Sequence, residues 1–109
     1  MRVIAIPKVY EYLENLVTIL YEEGYFGLKE AAHKYVDDLF DDIKTTLPIR
    51  RHTPASKHFD KYGKGMKYAA FKKSKHTTWY VFFKTYKENG EEIYLVRYIA
   101  NNHVIAQYL

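Results

Sequence analysis

Five histidines are the side chains of this sequence that can exchange a proton near neutral pH, because an unperturbed imidazole titrates at about 6.5. Their spacing matches no structural zinc pattern and includes no H-E-x-x-H sequence. The chain also has no cysteine, so it offers neither a thiolate ligand nor a thiol nucleophile. We therefore expect no metal site, although five side chains could in principle converge on zinc: His52, His58, Asp60, His76 and His103.

Two other kinds of catalytic site have little support in the sequence. Gly63-Lys64-Gly65 lacks the flanking strand, the helix and the hydroxyl residue of a phosphate-binding loop. Ser56 and Ser74 lie in basic, turn-like surroundings without the sequence that surrounds a serine nucleophile. We therefore expect neither nucleotide hydrolysis nor serine-based hydrolysis, and no cofactor.

Positive charge is concentrated in the middle of the chain. Residues 1–48 carry five Lys and Arg against nine Asp and Glu, residues 49–87 carry eleven against one, and residues 88–109 carry one against three. The middle segment thus has a net charge of +10 in a chain whose formal net charge is +4. Such a field attracts polyanions, nucleic acid before a membrane surface, although a basic loop kept for solubility is an alternative.

Aromatic residues are interleaved with these cations, which favours nucleic acid because bases stack on aromatic faces while Lys and Arg bind phosphates. Part of the aromatic set must belong to the core. The candidates for binding a phosphate are Lys72, Lys73 and Lys75 at the end of a strand, Arg50 and Arg51 in the loop before it, and Arg97 in the last strand.

The first half of the chain is predicted to be helical. Residues 2–6 form a short strand that ends at Pro7, a residue that can also open a helix. Apolar residues at spacings of three and four predict one amphipathic helix from Lys8 to Glu23 and a second from Leu28 to Leu47. The break at residues 24–27 is so short that the two helices must be antiparallel neighbours.

The second half has the pattern of a sheet. Residues 48–66 contain two prolines and two glycines without a sustained period, which predicts a long basic loop with one helical turn near Ser56 to Phe59. An antiparallel three-stranded meander follows from the strand patterns of Lys67–Lys73, Thr77–Tyr86 and Glu92–Ala100, with an Asn-Gly turn between the last two. The apolar run 79–83 indicates a central strand covered on both faces, with the helix pair on one side.

Arg97 is a charged residue inside the last predicted strand. Strict alternation of side chains places it on the same face as Ile93, Leu95 and Ile99, whose apolar surface it interrupts. An arginine whose stem packs at a strand edge while its head reaches water is the alternative.

A strand, a helical hairpin and an antiparallel meander with a short C-terminal segment resemble the RelE/ParE superfamily of bacterial type II toxins. The resemblance rests on MRVIAIPKVYEYLENL, similar to the opening strand, proline and acidic helix of that superfamily. It rests further on TTWYVFFKTYKENGEEIYLVRYIANNH, similar to the central strand, hairpin and last strand. It covers nearly the whole chain and implies one α+β domain over residues 1–109, with a small twisted sheet.

The resemblance implies a toxin that inhibits translation as a ribosome-associated, metal-independent mRNA endonuclease. In such cleavage the 2′-OH of the RNA attacks the adjacent phosphate, so the protein must accept a proton, stabilise charge and protonate the leaving oxygen. His103, just past the last strand, is the first choice for the general acid. Tyr108 is similar in position to a C-terminal tyrosine of RelE-like nucleases, and Arg97 and the lysines would hold the RNA.

One departure from the family pattern leaves other functions open. Where the central strand should carry an arginine, this chain reads Thr78-Trp79-Tyr80. Either Arg97 or the loop arginines substitute for it, or the nuclease chemistry is absent. The alternatives are a ParE-like toxin that binds DNA gyrase without catalysis and a small basic nucleic-acid-binding module.

The expected partners and compartment follow from the same sources. The resemblance implies a cognate acidic antitoxin, whose charge would suit the +10 segment, besides mRNA and the ribosome. No stretch approaches the roughly 18 unbroken apolar residues of a membrane span, and the first residues lack a signal-peptide core. Since the absence of cysteine also fits a reducing compartment, we expect a cytoplasmic protein without membrane contact.

Overall fold

A computed structural model describes residues 1–109. The chain forms β1 (Arg2–Ala5), α1 (Pro7–Glu22), α2 (Lys29–Thr46), β2 (Thr53–Pro54), β3 (Lys67–Lys72), β4 (Thr78–Glu88), β5 (Glu91–Asn101) and α3 (Asn102–Ile105). Short 3₁₀ helices cover Leu47–Ile49, Lys57–Tyr62 and Ala106–Tyr108. The predicted α+β class, with a strand, a helical hairpin and a meander in that order, is confirmed.

The five strands form one mixed sheet in the order β1-β5-β4-β3-β2, which puts β4 at its centre. Strands β3, β4 and β5 are antiparallel, as predicted. Strand β1 runs parallel to β5 at one edge of the sheet, and the helical hairpin connects it to β2 at the other edge. The β4–β5 turn has Asn89 at φ 52° and Gly90 at φ 80°, the two left-handed residues that an Asn-Gly hairpin turn requires.

The helical hairpin covers one face of the sheet. Its helices are antiparallel, since Tyr10 near the start of α1 packs edge-on against Phe40 near the end of α2, with ring centroids 5.5 Å apart. The buried residues of the two helices have the predicted spacing: Val9, Leu13, Leu16 and Val17 in α1, and Ala32, Val36, Leu39 and Ile43 in α2. No helix combines the length and the apolar character needed to cross a bilayer.

Residues 48–66 are more ordered than the predicted long loop, and residues 55–66 cover the opposite face of the sheet. The short β2 extends the sheet, and the 3₁₀ helix Lys57–Tyr62 contains the predicted helical turn. Phe59 is 1% exposed and packs on Phe82 of β4, with ring centroids 4.3 Å apart. Trp79, Val81 and Phe83 face the helices while Phe82 faces Phe59, which confirms that β4 is covered on both sides.

A β-bulge at Arg97 interrupts the alternation of β5. Phe82 is opposite Tyr98 and Phe83 is opposite Val96, so Arg97 has no partner on β4. Val96 and Ile99 both pack toward the helices, whereas Arg97 and Tyr98 both contact Tyr62 on the other face. The prediction that Arg97 shares a face with Ile99 is therefore wrong, because the extra residue shifts the parity of the strand.

Candidate functional site

The turn between β3 and β4 gathers several polar and basic side chains at one end of the sheet. The backbone N–H groups of Lys73 and Ser74 both donate to the Thr77 carbonyl oxygen, at 3.0 and 3.2 Å. These bonds hold residues 73–77 in a compact loop. The loop carries Lys73, Lys75 and His76 together with the hydroxyls of Ser74 and Thr77.

One asparagine attaches α3 to this turn and a second caps the helix. Asn102 Oδ1 accepts from the Thr78 backbone N–H at 2.9 Å, and Asn102 Nδ2 donates to the His76 carbonyl at 3.2 Å. Asn101 Oδ1 accepts from the backbone N–H of His103 at 3.0 Å and so caps the short helix. The sequence pattern alone does not assign these roles, although an asparagine before a helical turn is a capping signal.

His103 lies where α3 meets the turn. Its Nε2 is 3.3 Å from Thr77 Oγ1, and its side chain is exposed to solvent. The structure thus brings His103 beside the turn that carries Lys73 and Lys75. An exposed imidazole held by one hydroxyl can exchange protons with a ligand bound at the turn.

An aromatic cavity of about 510 Å³ opens beside His103. One wall of the cavity is polar and contains Ser74, Thr77 and His103. Glu23 is the only carboxylate among the residues that line the cavity. The other wall comes from the helical hairpin and from β4, where Trp79 Nε1 donates to the Tyr35 hydroxyl at 2.8 Å. The aromatic rings of the cavity belong to Tyr12, Tyr25, Phe26, Tyr35 and Trp79.

The three lysines of the predicted phosphate cluster differ in their surroundings. Lys73 is half-buried, and its Nζ lies 5.7 Å from the centroid of the Tyr35 ring. The hydrogen bond from Lys34 lowers the pKa of Asp38, and the charge of Lys73 adds to this effect. Lys73 therefore extends along α2, whereas Lys72 and Lys75 are exposed.

Arg50 has a structural role in addition to its predicted one. Its guanidinium donates to Thr46 Oγ1 from Nε at 2.8 Å, to the Ala70 carbonyl from Nη1 at 3.0 Å and to Asp42 Oδ2 from Nη2 at 2.9 Å. It also lies 3.8 Å from the centroid of the Phe71 ring. A phosphate at Arg50 would have to compete with Asp42. Arg51, by contrast, is exposed, and both arginines line a cavity of about 280 Å³.

Tyr108 lies away from His103. Its ring stacks on that of His58, with centroids 3.7 Å apart and planes 1° apart, and its carbonyl accepts a hydrogen bond from Ser56 Oγ at 2.6 Å. It does not line the aromatic cavity. The structure therefore does not bring the predicted catalytic residues Tyr108 and His103 together.

Arg97 lines a second cavity, of about 300 Å³, on the neighbouring part of β5. Its Nε donates to the Tyr62 carbonyl at 2.6 Å. Gly63 permits this approach, because a Cβ there would lie 2.9 Å from Arg97 Nε, and because its φ of +153° disfavours other residues. The two cavities share Tyr12 and Val104, so Arg97 and His103 line adjacent sites and not a common one.

Two tyrosines that line the Arg97 cavity have raised pKa values. Burial, followed by the neighbouring Tyr62 hydroxyl, raises the pKa of Tyr98 far above the ordinary value of 10.0. The Tyr98 and Tyr62 rings are stacked, with centroids 3.8 Å apart. Burial also raises the pKa of Tyr12. Both phenols therefore ionise only at a more alkaline pH than an ordinary tyrosine does.

No family model, curated protein or solved structure matched the chain. No three His, Asp or Glu side chains are grouped so that they could hold a metal ion. Three features could bind or act on a ligand: the turn beside His103, the aromatic cavity next to it and the cavity at Arg97.

The raised pKa of Tyr98 predicts a loss of stability at high pH. Below the ordinary tyrosine pKa of 10.0, Tyr98 is neutral in both the folded and the unfolded chain, and the stability is complete. Above that pH the unfolded chain ionises first, so the free energy of unfolding falls until the folded Tyr98 also ionises. Urea titrations at several pH values above about 10 should show that the free energy of unfolding falls less with pH in Tyr98→Phe than in the unmodified protein.

Tyr86→Phe is the matched control, since it removes an exposed tyrosine of the neighbouring strand β4. We expect it to keep the decrease seen in the unmodified protein. Equal decreases in all three proteins would show that Tyr98 is not the group responsible.

Proposed function

We propose that this protein is a RelE-like toxin of a type II toxin-antitoxin system that binds single-stranded mRNA at the ribosome and cleaves it without a metal ion. The observation that supports this most directly is the basic turn held against α3, with His103 Nε2 3.3 Å from Thr77 Oγ1 and an aromatic cavity alongside. A proton-exchanging group, cations and stacking surfaces thus occupy one place. These are the requirements of RNA binding and cleavage.

The RNA backbone would follow the outer edge of β3 to the turn. Strand β2 pairs only with Lys67 and Tyr68, so the edge of β3 beyond them has no neighbouring strand. The exposed cations Arg51, Lys72 and Lys75 lie along this path and would bind successive phosphates. Tyr25, which is 69% exposed at the cavity, is a surface on which an unpaired base can stack.

The chemistry would centre on the phosphate nearest His103. The 2′ oxygen attacks this phosphorus as the bond to the 5′ oxygen breaks, giving a cyclic phosphate and a free 5′ hydroxyl. His103 donates the proton to the departing 5′ oxygen, and Thr77 Oγ1 orients its imidazole. Glu23, the carboxylate of the cavity, accepts the proton of the 2′-OH, and Lys75 stabilises the charge on the phosphate.

A non-catalytic toxin that binds a protein such as gyrase, or a simple nucleic-acid-binding module, is the second candidate. The separation of Tyr108 and Arg97 from His103 favours it, because only one predicted catalytic residue lies at the turn. Binding by the basic edge requires no proton transfer. A cleavage assay distinguishes the two candidates.

An acidic antitoxin would be the inhibitory partner in the cytoplasm. Its charge would complement Arg51, Lys72 and Lys75, which speeds association, while apolar contacts supply most of the affinity. Exposed apolar side chains beside the two cavities offer such contacts: Ile19 is 41% exposed and Val104 is 62% exposed. The antitoxin would thereby cover the His103 site.

Replacement of His103 should remove the proton donor and leave the fold intact, because its side chain is exposed. We expect His103→Ala to lower RNA cleavage by about 10²–10⁴-fold, the usual contribution of a general acid. The midpoint of thermal unfolding should change little. Cleavage of a labelled RNA, with and without ribosomes, provides the measurement.

His33→Ala is the control, since His33 is an exposed histidine on α2 that pairs with Asp37. It should cleave RNA as fast as the unmodified protein. Undiminished cleavage by His103→Ala would exclude His103 from the mechanism. A protein that binds RNA but never cleaves it would support the second candidate.

The contribution of the turn lysines to RNA binding can be measured from its salt dependence. Replacing Lys72, Lys73 and Lys75 by Gln should weaken binding and flatten the plot of log affinity against log salt, by about 0.7 for each phosphate of single-stranded RNA that is no longer neutralised. The control variant has Gln in place of Lys57, Lys61 and Lys64. It loses the same charge from another part of the basic segment, where all three lysines are exposed. If both triple variants flatten the plot equally, the turn is not a specific phosphate site.

The antitoxin can be sought by co-expression with the product of the neighbouring reading frame. We expect a small acidic protein that co-elutes with this chain in size-exclusion chromatography, resists high salt and blocks RNA cleavage. A chain that is harmless to its host and elutes alone beside that product would contradict the toxin proposal.

A further inference from the structure

The cavity at Arg97 lies between the first turns of α1 and the end of β5. Its walls combine two cations, Lys8 and Arg97, with the rings of Tyr12 and Tyr98 and the apolar side chain of Val104. Its volume of about 300 Å³ is at the lower end of the range for small-molecule sites. It holds no acidic residue.

Arg97 offers two nitrogen atoms to this cavity. Its Nε is bonded to the Tyr62 carbonyl, whereas Nη1 and Nη2 make no hydrogen bond with the protein. No carboxylate lies within ion-pair distance of Arg97 or of Lys8. A half-buried guanidinium without a counter-ion is costly, and binding an anion would offset that cost.

Three unusual local features fix the position of this guanidinium. The β-bulge turns Arg97 and Tyr98 toward Tyr62. Gly63, with its φ of +153°, leaves room for Nε where any Cβ would come within 2.9 Å. The stacked rings of Tyr62 and Tyr98 close one side. A bulge and a positive-φ glycine thus converge on one arginine, and both kinds of feature are frequent beside functional sites.

The remaining walls favour a flat, apolar ligand body. Tyr12, Tyr98 and Val104 present rings and methyl groups to this cavity. An inorganic anion would leave these walls in contact with water. A neutral aromatic molecule would leave Arg97 without a counter-ion.

We propose that this cavity binds a small aromatic molecule that carries one phosphate or carboxylate group. The anionic group would bind Nη1 and Nη2 of Arg97 in the two-bond geometry of guanidinium pairs, with Lys8 as the second cation. The ring would lie against Tyr12 and Val104. The site is separate from His103 and goes beyond the proposed function, since it requires neither RNA nor cleavage.

Phenyl phosphate and benzoate are the probes, titrated into the full chain by calorimetry and by amide NMR. We expect saturable binding of at least one of them, with shifts at the amides of Ile99, Ala100 and Val104. Phenol and inorganic phosphate should each bind at least about tenfold more weakly, because each lacks one half of the ligand. Binding of phenyl phosphate alone would identify the anion as phosphate, and binding of both would admit carboxylates.

Arg97→Gln should weaken binding by about tenfold or more, the usual effect of removing a two-bond charged interaction. Arg2→Gln removes an exposed arginine of β1 that pairs with Glu91, and should leave the affinity within about twofold. Lys8→Gln, at an exposed position, provides a second test that does not disturb the bulge and should weaken binding severalfold.

Several results would overturn the proposal. They are no saturable binding, equal binding of phenol, equal binding of inorganic phosphate, or equal weakening in Arg97→Gln and Arg2→Gln. Displacement of phenyl phosphate by an oligoribonucleotide in an Arg97-dependent manner would also overturn it, by making the cavity part of the RNA path. Loss of cleavage in His103→Ala bears only on the proposed function, so the two can fail independently.

Discussion

Strand β4 carries large apolar side chains on both of its faces, and each face needs its own cover. Trp79 and Phe83 pack toward the helical hairpin, while Phe82 packs against Phe59 of the 3₁₀ helix. Burying such side chains is worth about 1.5–3 kcal/mol each, so leaving either face open would be unfavourable. Packing on the second face therefore fixes residues 55–66 and holds Ile105 of α3 against the sheet. His103 lies beside Thr77, just before β4 begins, because α3 is held against the sheet there.

Elements that depend on local pattern can be predicted well from the sequence. The apolar spacing predicts helices from Lys8 to Glu23 and from Leu28 to Leu47, and they occupy Pro7–Glu22 and Lys29–Thr46. This spacing is a property of each segment alone, as is the Asn-Gly signal for the β4–β5 turn. The burial of both faces of β4 can also be predicted from the sequence. In the uninterrupted apolar run 79–83, the side chains on both faces of the strand are apolar and must be shielded from water. The position of His103 after the last strand follows from these elements.

Features that depend on contacts between distant segments could not be predicted. The bulge at Arg97 has no local signature, and it reverses the face of every residue after it in β5. The pairing of Arg50 with Asp42 and the stacking of Tyr108 on His58 arise only after the chain folds. Each of these changes the role that a side chain can take. Composition indicates which residue types are present, and only the tertiary contacts determine which of them are available to a ligand.

The charge of the basic segment is divided among different physical roles. Arg50 neutralises Asp42 and covers the Phe71 ring, so much of its charge is already compensated within the protein. Lys72 and Lys75 are solvated and can exchange their counter-ions for the phosphates of a polyanion. Arg97, which lies outside that segment, is half-buried without any anion and is held in one orientation by its bond to Tyr62. A solvated lysine attracts any phosphate at long range, whereas a fixed and unpaired guanidinium selects a ligand by shape. Under the two proposals, electrostatic attraction acts along β3 and its turn, whereas specific recognition takes place at the end of β5.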